Sequence, residues 1–128
     1  MTEIARALQT FWGGFGLTAY PEDNVPEVQG GADNLASLLP YITYRLVQPE
    51  FGVPMTYQAR VWYWSKGYEE IAAKTDEITA KIGEGIMLRV GPGYVCLRPD
   101  TPLVRLQPTE DYRLKVAYIN LQINVYTK

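Results

Sequence analysis

The run Met55 to Trp64 constrains the fold more than any other part of the chain. Tyr57, Ala59, Val61 and Tyr63 alternate with Gln58, Arg60, Trp62 and Trp64, the period of two that an extended strand displays as two faces. Both faces carry apolar bulk, so this strand is expected in the middle of a sheet and covered on both sides. A shorter β-rich run, Tyr41 to Val47, precedes it and is closed by Gln48-Pro49; the loop Glu50 to Pro54 joins the two. Behind it the period changes from two to that of a helix. Ile71, Thr75, Ile78 and Ile82 form one stripe over about Tyr68 to Ile82, with Glu69, Glu70, Lys74, Asp76, Glu77 and Lys81 mostly outside it. Ser65 offers an N-cap, acidic residues occupy the first turn where the helix dipole favours them, and Gly83 and Gly85 stop the helix.

The remainder divides by the same rules. Thr2 can cap a first helix carrying Ile4, Leu8, Phe11, Trp12 and Phe15 at helical spacing, frayed by Gly13, Gly14 and Gly16. Residues 17–39 hold Tyr20-Pro21, Val25-Pro26 and Gly30-Gly31 without periodicity and read as one long irregular connection. Ile86 to Val90, the turn Gly91-Pro92-Gly93 and Tyr94 to Arg98 read as a hairpin, followed by a separate extended piece, Leu103 to Gln107. The last strand, from about Tyr112 to Tyr126, changes phase. Leu114, Val116 and Tyr118 share one face, then Ile119, Leu121, Ile123 and Val125 share the other. A bulge or sharp bend near Ala117 to Ile119 is expected, or a strand that pairs first with its own sheet and later with another subunit.

The expected fold is therefore α+β. It is a single domain over residues 1–128, with a mixed or mostly antiparallel sheet of about four to six strands packed by two or three helices. At 128 residues, 47% hydrophobic and 20% charged, the chain has the profile of a soluble globular protein with one real core. No apolar run reaches the roughly 20 residues of a membrane span, and the N-terminus carries no secretory pattern.

Chemistry is thinly provided for. With no histidine, neither a Ser-His-Asp nor a Cys-His arrangement can be built, and metal sites lose their commonest ligand. Cys96, between Val95 and Leu97, reads as a buried small hydrophobe suited to a reducing cytoplasm. Trp12-Gly13-Gly14-Phe15-Gly16 lacks the preceding strand and following Lys-Ser/Thr of a phosphate loop. The carboxylate pairs Glu22-Asp23, Glu69-Glu70, Asp76-Glu77 and Glu110-Asp111 fall in loops or on a polar helix side, where solvated charge is the default. A hydrolase would need one of them in a deep pocket. No catalytic residue, cofactor or metal ligand is predicted. A net charge of −2 and basic residues scattered along the chain also argue against an autonomous nucleic-acid binder.

Ten Tyr, three Trp and three Phe point instead to surfaces. Such side chains bury large area while Tyr and Trp keep a polar tip, which enriches them at interfaces. Tyr57, Trp62, Tyr63 and Trp64 could fill a two-sided core or meet a partner. Phe11, Trp12 and Phe15, at a helix end beside glycines, could do either. Together with Tyr20 and Tyr126 they are the predicted subunit contacts, the last because a terminal strand leaves an open edge.

Several ordered stretches resemble one family, the tail terminator and related minor tail or head–tail joining proteins of long-tailed bacteriophages. One is the strand opening Leu39-Pro40-Tyr41-Ile42-Thr43-Tyr44. The next is Val61-Trp62-Tyr63-Trp64-Ser65 leading into Glu70-Ile71-Ala72, Asp76-Glu77-Ile78 and Ile82. The closing pattern is Leu106-Gln107 and Glu110-Asp111 before Arg113 to Leu121. Together they span residues 36–126, while Pro21 to Gly31 departs from the pattern. The resemblance implies a virion protein made in the host cytoplasm, whose homo-oligomer is a hexameric ring. That ring would cap the tail tube protein and meet a head-completion or connector protein, with DNA passing unread through its lumen. Alternatives are another head-completion or minor tail protein, an aromatic-platform module for a small molecule or carbohydrate using Tyr57, Trp62 and Trp64, and the carboxylate hydrolase.

Overall fold

A computed structural model of the chain describes residues 1–22 and 39–126. The elements in order are α1 (Thr2–Trp12), a single 3₁₀ turn (Gly13–Phe15), β1 (Thr18–Pro21), β2 (Tyr41–Tyr44) and β3 (Met55–Trp64). They are followed by α2 (Glu69–Ile82), β4 (Ile86–Val90), β5 (Gly93–Gln107) and β6 (Leu114–Tyr126). The strands form one six-stranded sheet in the order β1-β2-β3-β6-β5-β4. Only β1–β2 is parallel; the other pairings are antiparallel. The class is α+β, with a mixed sheet of six strands and two α-helices among the described residues.

Both helices pack on the same face of the sheet. From α1 come Ile4, Leu8, Phe11 and Trp12; from α2 come Ile71, Ile78 and Ile82. Beneath them lie Tyr57, Ala59, Val61 and Tyr63 of β3 and Ala117, Ile119, Leu121, Ile123 and Val125 of β6. Full burial of each large side chain in this layer stabilises the fold by roughly 1.5–3 kcal/mol relative to exposure. A second tie needs no apolar contact. The Lys74 ammonium of α2 donates to the Phe15 carbonyl at 2.6 Å and pairs with Glu77 at 3.2 Å, fastening α2 to the 3₁₀ turn.

Neither predicted cap operates. Thr2 is already helical, with Met1 in the cap position and the Ala5 amide closing the first turn on the Met1 carbonyl at 2.8 Å. Helix α2 begins after Tyr68, and the Ser65 hydroxyl instead accepts the Gly67 amide at 3.3 Å, shaping the turn that leads in. Part of the connection expected to be irregular is a strand. Thr18–Pro21 has no useful alternation, and it is held extended by parallel pairing with Tyr41–Tyr44, a partner distant in sequence. Residues 23–38, which hold most of the Pro21 to Gly31 segment, lie outside the described residues.

Two strand expectations are corrected. No bulge interrupts β6: its register with β3 runs unbroken from Met55↔Ile123 to Trp64↔Leu114. The irregularity lies in β5, between Pro99 and Val104, where the two extended pieces predicted separately join into one 15-residue strand. Nor is β3 covered on both sides. Tyr57, Ala59, Val61 and Tyr63 are buried under the helices, while Gln58, Arg60, Trp62 and Trp64 are only half-buried on the other face.

Candidate interaction surface

Among the described residues that other face carries no helix, since α1 and α2 both lie on the opposite side. The pairing register sets its composition, because partners across a ladder point the same way. One cross-strand row runs Thr43, Arg60, Tyr118, Arg105. The next runs Tyr41, Trp62, Val116, Gln107. At the far end Arg89, Tyr94 and Tyr126 form a third.

The apparent phase change in β6 now has a different cause. The strand stays regular, and its outward face changes from apolar (Leu114, Val116, Tyr118) to polar (Asn120, Gln122, Asn124) along its length. The apolar half adjoins Trp62, Trp64, Tyr41 and Tyr20; the polar half adjoins Gln58 and Thr56.

Side-chain contacts hold this face in shape. The Trp62 indole donates to the Thr43 hydroxyl at 3.0 Å, and the Gln58 amide donates to Asn120 Oδ1 at 3.0 Å. Tyr20 meets Tyr41 edge-on at 5.7 Å between ring centroids, and Tyr41 leans on Trp62 at 6.2 Å. Burial, reinforced by Tyr20, raises the Tyr41 phenol above its ordinary pKa. Guanidinium groups lie over rings: Arg60 over Tyr118 at 4.8 Å, Arg113 over Trp64 at 4.7 Å and Arg89 over Tyr94 at 5.9 Å. Arg113 is also fixed by Asp111. The Arg113 amide donates to that carboxylate at 2.9 Å and, with help from the guanidinium, holds its pKa below the usual range.

The predicted contact residues separate into two groups. Phe11, Trp12 and Phe15 come together, with centroids 4.8 to 6.2 Å apart, but inside the protomer's own core. Trp12 is 0% exposed, so its side chain presents no surface to a second subunit. Tyr20 and Tyr126 are half-buried on the open face, in different rows and not in contact with one another. The edge argument for Tyr126 fails because β6 is an interior strand, paired with β3 on one side and β5 on the other. Of the proposed platform, Tyr57 points into the core and donates no surface, whereas Trp62 and Trp64 stand on the open face.

The carboxylate pairs do not face one another across a cleft. Each of five surface hollows among the described residues is lined by at most one carboxylate. Among the described residues no group of three His, Cys, Asp or Glu is placed to hold a metal ion, and no helix is long and apolar enough to cross a membrane. Cys96 is buried, beside Asn124 and Met87 across the ladder. The chain matches no family model and no curated protein sequence.

Sequence reasoning missed the exposed apolar ends of the molecule. Phe51 and Val53, in the β2–β3 loop, are 60% and 49% exposed, and Phe51 bridges to Val125 at the end of β6. Leu106 and Tyr112, around the β5–β6 connection, are 43% and 64% exposed beside the start of β6. The signal available was simply apolar residues in a loop, which has no meaning until the fold places them.

Proposed function

We propose that this chain is a non-enzymatic structural subunit, a tail terminator whose copies close into a hexameric ring. The ring caps the tail tube of a long-tailed phage and joins it to the head, meeting the tube protein on one side and a head-completion or connector protein on the other.

One observation carries the reading. Exposed apolar residues gather at opposite ends of β6, Phe51 and Val53 at one and Leu106 and Tyr112 at the other. The eleven steps from Leu114 to Val125 separate these ends by roughly 36 Å at about 3.3 Å per residue. Two different patches on opposite ends of one protomer are what a head-to-tail contact requires, and such contacts generate rings when the rotation closes. The stretches that carry the family resemblance add support, because they fall on β2, β3, α2 and β6, which are neighbours in the fold. The predicted contacts at Trp12 and Tyr126 are replaced by these two patches.

The test is mass measurement by light scattering, with and without purified tail tubes. A ring-sized species on tubes is expected. Phe51→Ser with Val53→Ser, and separately Leu106→Ser with Tyr112→Ser, should each abolish it. Mixing the two variants restores one intact contact and should yield dimers only. A wild-type protein that neither binds tubes nor self-associates would remove the proposal.

A further inference from the structure

We infer that the open face of the sheet binds the phosphate backbone of DNA without reading its sequence. The near-neutral net charge conceals a segregation that the fold creates. Of the seven arginines in the chain, Arg60, Arg89, Arg98 and Arg105 are placed on this face by the strand register, and Arg113 lies over its Trp64. Among the strand residues sharing the face Asp100 is the one carboxylate, set in the irregular stretch of β5 beside Gln58 and Asn120, so the four strand arginines outnumber it. The exposed acids Glu69, Glu70, Asp76 and Glu77 sit on α2, in the layer on the opposite side of the sheet.

The form of this charge favours an extended polyanion. Arg60 and Arg105 flank Tyr118 in one row, two strand spacings or roughly 10 Å apart, and Arg98 and Arg89 continue the line along β5 and β4. No small-anion pocket gathers them: among the described residues the hollow that includes Arg98 also holds Glu84, and the one that includes Arg89 also holds Glu3. The Arg60 guanidinium sits over the Tyr118 ring with its Nε donating to Gln58 Oε1 at 3.3 Å, which leaves its terminal N–H groups as the donors for phosphate oxygens. Six strands span roughly 24 Å at about 4.8 Å per spacing, about twice the width of a major groove, which is roughly 12 Å. An undeformed duplex therefore meets the face at its phosphates rather than at its base edges.

This inference goes beyond the ring reading and fails separately from it. The experiment is a fluorescence anisotropy titration of a labelled mixed-sequence duplex with the full chain, at several salt concentrations. Neutralising about four phosphates gives a slope of log K against log salt near −3.6, about −0.9 per contact. Arg60→Gln, Arg98→Gln and Arg105→Gln combined should bring it close to −1. Lys81→Gln, on α2, should leave it unchanged, and circular dichroism checks that each variant is folded. No binding at low salt, or equal loss in the lysine and arginine variants, would overturn the inference. It would also fall if the arginine variants altered only self-association, because the face would then dock the acidic helix of a second copy. Phe51→Ser with Val53→Ser should retain DNA binding, so a broken ring and a broken DNA surface are told apart.

Discussion

The indole nitrogen of Trp12 donates a hydrogen bond to the phenolic oxygen of Tyr57 at 3.1 Å, across 45 residues of sequence and inside the core. Their rings are stacked with centroids 6.4 Å apart, so α1 is pinned to the central strand by one polar contact set within apolar packing. Removing the acceptor leaves a buried N–H without a partner, a cost of about 1–3 kcal/mol. Tyr57→Phe is expected to lower stability by that amount in urea melts. Trp12→Phe, which deletes the donor, leaves Tyr57 a hydroxyl with less to lose but opens space, and should cost at least as much through the missing ring volume.

Alkaline pH should unfold the protein through its tyrosines. Burial raises the phenols of Tyr57, Tyr41, Tyr44 and Tyr63 above their ordinary value of 10.0, Tyr57 most. A raised folded-state pKa means that the native state retains a proton the unfolded chain releases. The stability they contribute is therefore fully present below about pH 10 and is lost as pH rises beyond it. Urea midpoints should be flat from pH 8 to pH 9 and fall progressively above pH 10 to 11. Tyr57→Phe should begin lower but fall less steeply.

The three tryptophans should separate by accessibility. Trp12 is sealed beneath α1, whereas Trp62 and Trp64 are half-buried on the open face. Collisional quenching by iodide is expected to reach the two surface indoles and leave a protected fraction of the fluorescence. Trp12→Phe should remove that protected fraction. Iodide should quench more strongly than neutral acrylamide relative to free tryptophan, because arginines surround the accessible pair.

Helix α2 should depend on its apolar stripe far more than on its ends. It has no side-chain N-cap, so Ser65→Ala should alter stability by less than about 0.5 kcal/mol, the usual range for a surface change. Ile78, fully buried between helix and sheet, should cost about 2–5 kcal/mol when cut to Ala. Comparing the two by chemical denaturation tests whether tertiary packing or local capping holds the helix.

Periodicity alone was enough for the local elements. The period of two in Met55–Trp64, the helical stripe of Ile71, Thr75, Ile78 and Ile82, and the glycines bracketing the β4–β5 turn each exclude other local conformations. Strands 55–64 and 86–90 came out as read, and α2 began one residue later. Capping was misread because Thr2 and Ser65 are suitable residue types whose use depends on where the first helical hydrogen bond closes. The expected bulge in β6 was misread for a related reason. Apolar residues switching faces at Tyr118 and Ile119 can mean a bent strand, or a straight strand whose environment changes, and one sequence contains both.

The aromatic trio Phe11, Trp12 and Phe15 was legible as a cluster, but whether it faced the core or a partner depended on what lay opposite, namely Tyr57 and the rest of β3. The arginines were least legible of all. They are scattered in sequence, and only the pairing of β3 with β6, β6 with β5 and β5 with β4 brings Arg60, Arg105, Arg98 and Arg89 to one surface. Alternation along a strand is a local property, set by backbone geometry and readable from a few consecutive residues. Which of the two faces the helices cover is a long-range choice, made by the total apolar area each face can bury. That choice put Tyr57 inside, left Trp62 outside, and turned a chain of near-neutral charge into one with a basic face.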